Sequence, residues 1–411
     1  MRPIVSERGR LMPASPIRKL MPLAEAAKGR GVRVLHLNIG QPDLPTPACM
    51  RERLRDVPEV VAYTPSGGTA EYLETLRLYY ESVGVKLEAS QLMATTGGSE
   101  AVQFALFACA GQGDEVLLVE PFYTNYQAFA TLAGVSLRAA PTSGEDGFHL
   151  PAREVWERHL SPRTKAVLLC NPNNPTGTVY TRDEIVMVAE LCRDHGLFLI
   201  LDEVYREFAY DGRKPFSGLM LEGFEEQVVV VDSFSKRYSA CGIRLGSLAS
   251  RNADFLSACL RMGQGRLSAP GLAQLMAQGA RELGPEYAAA VVSEYQKRRD
   301  VLYAGLTQIP GVFLRKPEGA FYFVARLPVD DAEEFARFLL AEFSHDGHTV
   351  MVSPAAGFYV TPDRGKDEVR IAYVLKCEDL ERAVGVLREG LAAYRRKRGQ
   401  DAAPAAVASS R

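Results

Sequence analysis

The sequence predicts an α/β protein: a large domain built on a mostly parallel sheet flanked by helices, followed by a smaller α+β domain. Three observations predict it. From Ala94 onward, short apolar strands alternate with amphipathic helices, the pattern of a sheet with helical crossovers. Beyond about residue 290 the style changes to long charged helices and scattered short strands. No internal repeat is visible, which removes solenoids and propellers.

Taken in order, residues 1–34 are basic and proline-containing and read as an arm that contributes to the small domain. Residues 35–290 read as the large domain. The helix after Gly97-Gly98 carries Ala101, Val102, Ala105, Leu106 and Cys109 on one stripe. Strands are expected at 115–119, 136–140, 166–169, 197–201, 227–231 and 245–249. Thr181-Arg182-Asp183-Glu184 is a capping box that opens a helix over 182–194. Residues 291–398 read as the small domain, entered through a charged helix over 286–307. It holds the segments 311–314, 319–323, 350–352 and 369–372 and helices over 331–343 and 379–397. Residues 399–411 form a tail; from Ala402 it consists of Ala, Pro, Val and Ser with a final Arg411, buries too little to fold, and is predicted to be disordered.

Composition narrows the function. The 411 residues carry a net charge of −2, with Lys and Arg scattered rather than striped, so no nucleic-acid partner is expected. The dense basic run Arg395-Arg396-Lys397-Arg398 suits a helix C-terminus. Seven cysteines without paired spacing point to a reducing compartment, and Cys109, Cys170 and Cys192 read as small buried hydrophobes. Six histidines form no cluster, so no metal site is expected. The first residues have no apolar signal core and no run approaches a membrane span. The expectation is a cytoplasmic protein with no membrane partner.

The chemistry concentrates around Lys236. It follows the apolar run Val228-Val229-Val230-Val231, within Ser233-Phe234-Ser235-Lys236, and Arg244 comes eight positions later. A lysine at the end of a buried parallel strand points into the crevice where such sheets bind ligands. Lost hydration lowers its pKa and makes the amine a nucleophile toward a carbonyl carbon. Ser233, Ser235 and Arg244 are groups that grip a phosphate. A lysine that captures an aldehyde beside a phosphate clamp describes a pyridoxal 5'-phosphate site. Two earlier strand ends add to it. Asn171-Pro172-Asn173-Asn174-Pro175-Thr176-Gly177 follows one strand, and Asp202-Glu203-Val204-Tyr205 ends another. Asp202 can hold a pyridine nitrogen protonated, while Asn174 and Tyr205 can hydrogen-bond the ring hydroxyl. Singly, each motif is also ordinary turn or capping chemistry; the ordered set is not.

These motifs, with Gly242-Ile243-Arg244-Leu245-Gly246 and Val369-Arg370-Ile371-Ala372, resemble the class I/II aminotransferases of fold type I, in their aspartate-aminotransferase-like branch. The resemblance runs from about Leu35 to Leu391. It implies a seven-stranded type of sheet and pyridoxal phosphate bonded to Lys236. Asp202 would pair with the ring nitrogen, and Arg370 would clamp the substrate α-carboxylate. The same resemblance makes Thr95-Thr96-Gly97-Gly98-Ser99-Glu100 the phosphate cup, with main-chain donors from Gly98, Ser99 and Glu100. It lays Tyr123 against the ring and brings the Gly40 backbone to the α-carboxylate. Tyr63, in Tyr63-Thr64-Pro65-Ser66, would reach the neighbouring subunit's cofactor, implying a homodimer with shared active sites. The chain departs from the family pattern at Glu71-Tyr72-Leu73, where Glu-Leu-Arg is usual.

The reaction so implied moves an amino group from an L-amino acid to a 2-oxo acid in a ping-pong cycle. Aspartate or glutamate with 2-oxoglutarate is favoured. An acidic substrate needs a second cation at its far end, and Arg266 is the candidate. Cofactor motifs serve elimination, cyclisation and oxidation equally well, so these stay open. A DNA-binding sensor role would need a helix-turn-helix extension, which residues 1–34 are too short and proline-broken to supply.

Overall fold

The computed structural model describes residues 3–214 and 216–399. Its N-terminal strand β1 (Arg33–His36) belongs to the C-terminal layer, as shown below. The large sheet contains β2 (Leu92–Thr95), β3 (Glu115–Glu120), β4 (Ser136–Pro141), β5 (Thr164–Cys170), β6 (Phe198–Asp202), β7 (Val228–Ser233) and β8 (Gly246–Ser250). Their spatial order is β2-β8-β7-β6-β5-β3-β4. Six strands run in one direction and β8 runs against both its neighbours.

Alternate residues of the central strands feed two cores, as the period of a strand requires. Leu168, Ile200, Val229 and Val231 face the helix Gly97–Cys109 through Ala101, Val102 and Ala105. Val167, Leu169, Leu199, Leu201, Val228 and Val230 face the other way, toward Ile185, Val188 and Leu191 of the helix Arg182–Asp194. Burial on both faces explains why these strands read as continuous apolar runs. The expected capping box is present: Glu184 N donates to Thr181 Oγ1 at 3.2 Å, and Thr181 N donates to Glu184 Oε2 at 2.7 Å.

The C-terminal layer holds β9 (Phe313–Leu314), β10 (Tyr322–Arg326), β11 (His348–Met351), β12 (Ser353–Pro354) and β13 (Glu368–Ala372). Four of them form an antiparallel sheet ordered β12-β13-β10-β9. β11 pairs in parallel with β1, and the helix Met21–Gly29 packs on the helix Ala332–Ala341 with Ala24 and Ala27 fully buried. Residues 21–36 are thus folded into this layer, more than the word arm implies. The tail beyond Gly399, where disorder is predicted, lies outside the described residues. Among those described, no helix is long and apolar enough to cross a membrane.

Candidate active site

Three neighbouring strand ends deliver the reactive groups. Asn174 follows β5, Asp202 ends β6, and Ser233 ends β7 just before the short helix Phe234–Arg237 that carries Lys236. Lys236 Nζ donates to the Gly40 carbonyl at 2.7 Å and lies 5.9 and 5.8 Å from the ring centres of Tyr205 and Phe321. Desolvation lowers its pKa first of all, and the nearby Arg370 and Arg244 push the same way. Asp202 is buried. It accepts from the Tyr126 hydroxyl at 2.7 Å and from Val204 N at 3.3 Å. Burial outweighs these bonds and raises its pKa to about 6. No cation among the described residues pairs with it.

Arg370, on β13, is only 1% exposed. Its Nη2 donates to the Asn38 carbonyl at 2.6 Å and its Nη1 to Asn174 Oδ1 at 3.1 Å, while its buried Nε has no partner. Aromatic faces hold the guanidinium in plane, with Tyr322 at 4.5 Å and Phe358 at 5.2 Å. The Tyr322 hydroxyl pairs with that of Tyr205 at 2.8 Å, and Asn174 Nδ2 donates to the latter at 3.4 Å. The Tyr322 hydroxyl also occupies the space that a side chain at position 40 would need. Gly40→Ala is therefore expected to displace Tyr322 and the carbonyl that holds Lys236. Its kcat/KM should fall roughly 100-fold, with a much smaller change in melting temperature. An unaffected kcat/KM in that variant would show that the Gly40–Tyr322 contact does not position the site.

Below Lys236 lies an anion cradle. Gly97 opens the helix Gly97–Cys109, whose first-turn N–H groups have no intrahelical partner. Ser233 Oγ donates to Ser235 Oγ at 2.9 Å. Arg244 adopts a left-handed backbone (φ 53) that sets its guanidinium against Gly97, where a Cβ would lie 2.7 Å from Nη2. Gly246 is equally constrained, since a Cβ there would sit 2.8 Å from Gly98 N. Ser99 and Glu100 occupy the first turn. The Glu100 carboxylate folds back to accept from Thr96 N at 2.7 Å. Tyr123 is part-buried and meets Tyr126 edge-on at 5.4 Å.

Two predicted residues stand elsewhere. Arg266 is engaged by Glu100 at 2.7 Å and by the Ser66 carbonyl at 2.8 Å, so it serves as a tie at the cradle's edge. Its charge, expected to receive a distal acid, is paired within the chain. Tyr63 is 82% exposed and takes no part in its own chain's pocket.

Sequence reasoning missed several supports. Tyr126 and Tyr322 carry no local mark that sets them apart from other aromatic residues. Glu120, ending β3, accepts from Val360 N at 2.9 Å and Thr361 N at 3.0 Å, tying the loop that carries Phe358 to the large sheet. Arg237, next to Lys236, pairs with Asp232 at 2.6 Å and Glu207 at 3.1 Å and lies 3.5 Å over the Tyr79 ring. Beside it, Arg206 pairs with Glu203 at 2.8 Å. This buried network braces the turn that holds Lys236. The signal available was the density of charge in Glu203, Arg206, Glu207, Asp232 and Arg237 beside apolar strands.

The donor set fits pyridoxal phosphate. A buried carboxylate without a cation matches a protonated ring nitrogen, and the cradle of Arg244, Ser233, Ser235 and a helix N-terminus matches a phosphate. The orphaned Arg370 Nε matches a substrate carboxylate. Fold and site together define a pyridoxal-phosphate-dependent enzyme of fold type I. The chain belongs to the aminotransferase class I and II family, whose pattern it matches over residues 32–387. It is 30% identical over 390 residues to aromatic-amino-acid aminotransferase 2 of Thermococcus litoralis, covering 92% of this chain and 96% of that one. Aspartate aminotransferase of Bacillus subtilis is 28% identical over 373 residues, covering 88% and 92%. Among solved structures, aspartate aminotransferase of Thermus thermophilus with maleate superposes with a TM-score of 0.85 at 27% identity, covering 95% of this chain and 100% of that one. The protein is an aminotransferase.

Proposed function

We propose that this aminotransferase moves the amino group of an acidic L-amino acid, aspartate or glutamate, to a 2-oxo acid such as 2-oxoglutarate. The observation that carries the reading is the Arg370 fork, buried beside Asn174 and one hydrogen bond from the Tyr205–Tyr322 pair. Bound pyridoxal phosphate supplies an aldehyde for amines and a ring that takes up electrons from the substrate Cα. The chain's residues do the rest. Arg370 holds the α-carboxylate and so orients the Cα–H bond. Lys236, whose pKa desolvation lowers, is placed to take the Cα proton as general base. Asp202 keeps the ring nitrogen charged, and Asn174 and Tyr205 bind the ring oxygen. Ser233, Ser235, Arg244 and the main chain of Gly98, Ser99 and Glu100 hold the phosphate, with Tyr123 against the ring.

Residues 37–290 and the layer of residues 21–36 with 291–398 act as two lobes, and substrate on Arg370 draws the second over the first, expelling water. The active unit is a homodimer in which Tyr63 reaches the neighbouring site. Its 82% exposure, with Val60 at 74% and Val61 at 59%, supports a partner-covered segment. Seven free thiols support a cytoplasmic setting. The test is a panel of amino donors with 2-oxoglutarate. Glutamate formation matched by the donor's 2-oxo acid, with aspartate among the best donors, is expected. Ammonia release without glutamate would overturn the reading.

A further inference from the structure

An acidic substrate has two carboxylates, and the structure shows a receptor for one. Arg370 is placed for the α-carboxylate, Arg244 belongs to the cradle, and Arg266 is neutralised by Glu100. The other end needs a cation that is near the fork, open to the pocket and not already paired.

Arg18 meets these conditions. It lies in the turn before the helix Met21–Gly29, closed by Arg18 N and Lys19 N donating to the Ser15 carbonyl at 3.1 and 3.0 Å. The turn is docked on the α-carboxylate fork itself. Asn38 Nδ2 donates to the Ile17 carbonyl at 3.0 Å, and the carbonyl of the same Asn38 receives Arg370 Nη2 at 2.6 Å. Pro16 covers Gly357, whose missing side chain leaves the room it fills. Leu20, 1% exposed, anchors the other side of the turn. Residue 18 is therefore held one peptide from a carbonyl that shares Asn38 with Arg370.

Its side chain is exposed, and no described acid or carbonyl takes its guanidinium, whereas the adjacent Lys19 is paired with Glu333. The Arg18 charge, with those of Arg370 and Arg244, opposes the upward push that burial gives the Tyr123 hydroxyl. The turn that carries Arg18 thus borders the Arg370 fork.

We propose that Arg18 receives the distal carboxylate of an acidic amino acid, or of its 2-oxo acid, whose α-carboxylate Arg370 holds. This rests on the aminotransferase reading above and names the residue that sets its side-chain preference. A guanidinium suits the task because it meets a carboxylate with two parallel hydrogen bonds. Because it is exposed, it stays hydrated when a substrate offers no second acid, so the selection acts on acidic substrates.

The test compares wild type, Arg18→Ala and Arg18→Lys as holoenzymes in two measurements. Calorimetric titration with maleate, an unreactive dicarboxylate, should show the dissociation constant rising roughly 10- to 100-fold in Arg18→Ala, with Arg18→Lys between. Titration with a monocarboxylate should show a far smaller change. In the amino-donor half-reaction, the kcat/KM ratio of aspartate over phenylalanine should fall by a similar factor, chiefly through KM. Equal losses for both donors, or unchanged maleate binding with an unchanged ratio, would overturn the proposal. So would a wild-type enzyme that takes phenylalanine and rejects both aspartate and glutamate, while leaving amino transfer intact. The maleate titration needs no turnover, so it decides the role of Arg18 even where the transfer reaction itself fails.

Discussion

Lys236→Ala is expected to lower amino transfer by roughly 10²- to 10⁴-fold, the scale of a lost general base, and to leave the fold intact. The amine sits at the junction of everything the site positions. It is fixed by the Gly40 carbonyl at 2.7 Å, flanked by Tyr205 and Phe321, and carried on a turn braced by the Arg237–Asp232 pair at 2.6 Å. Its lowered pKa favours the free amine, the form that accepts a proton. Removing it leaves the cradle and the Arg370 fork in place, so the variant should still bind cofactor and substrate. Single-turnover kinetics checks this, and added small primary amines should restore a fraction of the rate. Near-normal turnover in Lys236→Ala would remove the lysine from the mechanism.

Asp202→Asn is the second large effect, and it has two signs. In the holoenzyme the amide cannot hold a ring nitrogen charged, and turnover should fall roughly 10²- to 10³-fold. In the cofactor-free protein the same change should stabilise. The carboxyl titrates near 3.8 ordinarily and is raised to about 6 in the folded chain. Between these values the folded state holds the extra proton, so stability falls as pH rises through that window, and the cost is complete above about 6. An asparagine carries no charge to desolvate and its oxygen still accepts from Tyr126. The melting temperature of cofactor-free Asp202→Asn should therefore exceed that of wild type at pH 8, and the gap should narrow toward pH 4. A gap that is constant with pH would show that Asp202 does not titrate as described.

Much of this was legible in the chain because the site is made of strand ends. An apolar run announces a buried strand, and the residue after it points into the crevice; that is how Asn174, Asp202, Ser233 and Lys236 could be found before any coordinate. The doubly buried strands were equally plain, since Val228 to Val231 leave no other reading. What stayed hidden depends on contacts far apart in sequence. β2 is only Leu92–Thr95, too short to show a period, and the reversal of β8 is set by pairing rather than by composition. Tyr126 meets Asp202 across 76 positions, and Arg370 meets Asn38 across 332. Neither partner carries a local mark of the other. Arg266 shows the converse. Its type and neighbourhood suited a substrate receptor, and only the position of Glu100 reveals that its charge is spent.

The central claim is that Lys236 is the residue at which amino-group chemistry happens in this chain. Reduction of the purified yellow holoenzyme with borohydride, followed by proteolysis and mass spectrometry, tests it most directly. The prediction is one labelled peptide, containing Ser233-Phe234-Ser235-Lys236, with the added mass of the reduced cofactor on Lys236. Lys236→Ala treated identically should yield none. A label on any other lysine, or an equal label on the Lys236→Ala protein, would contradict the account.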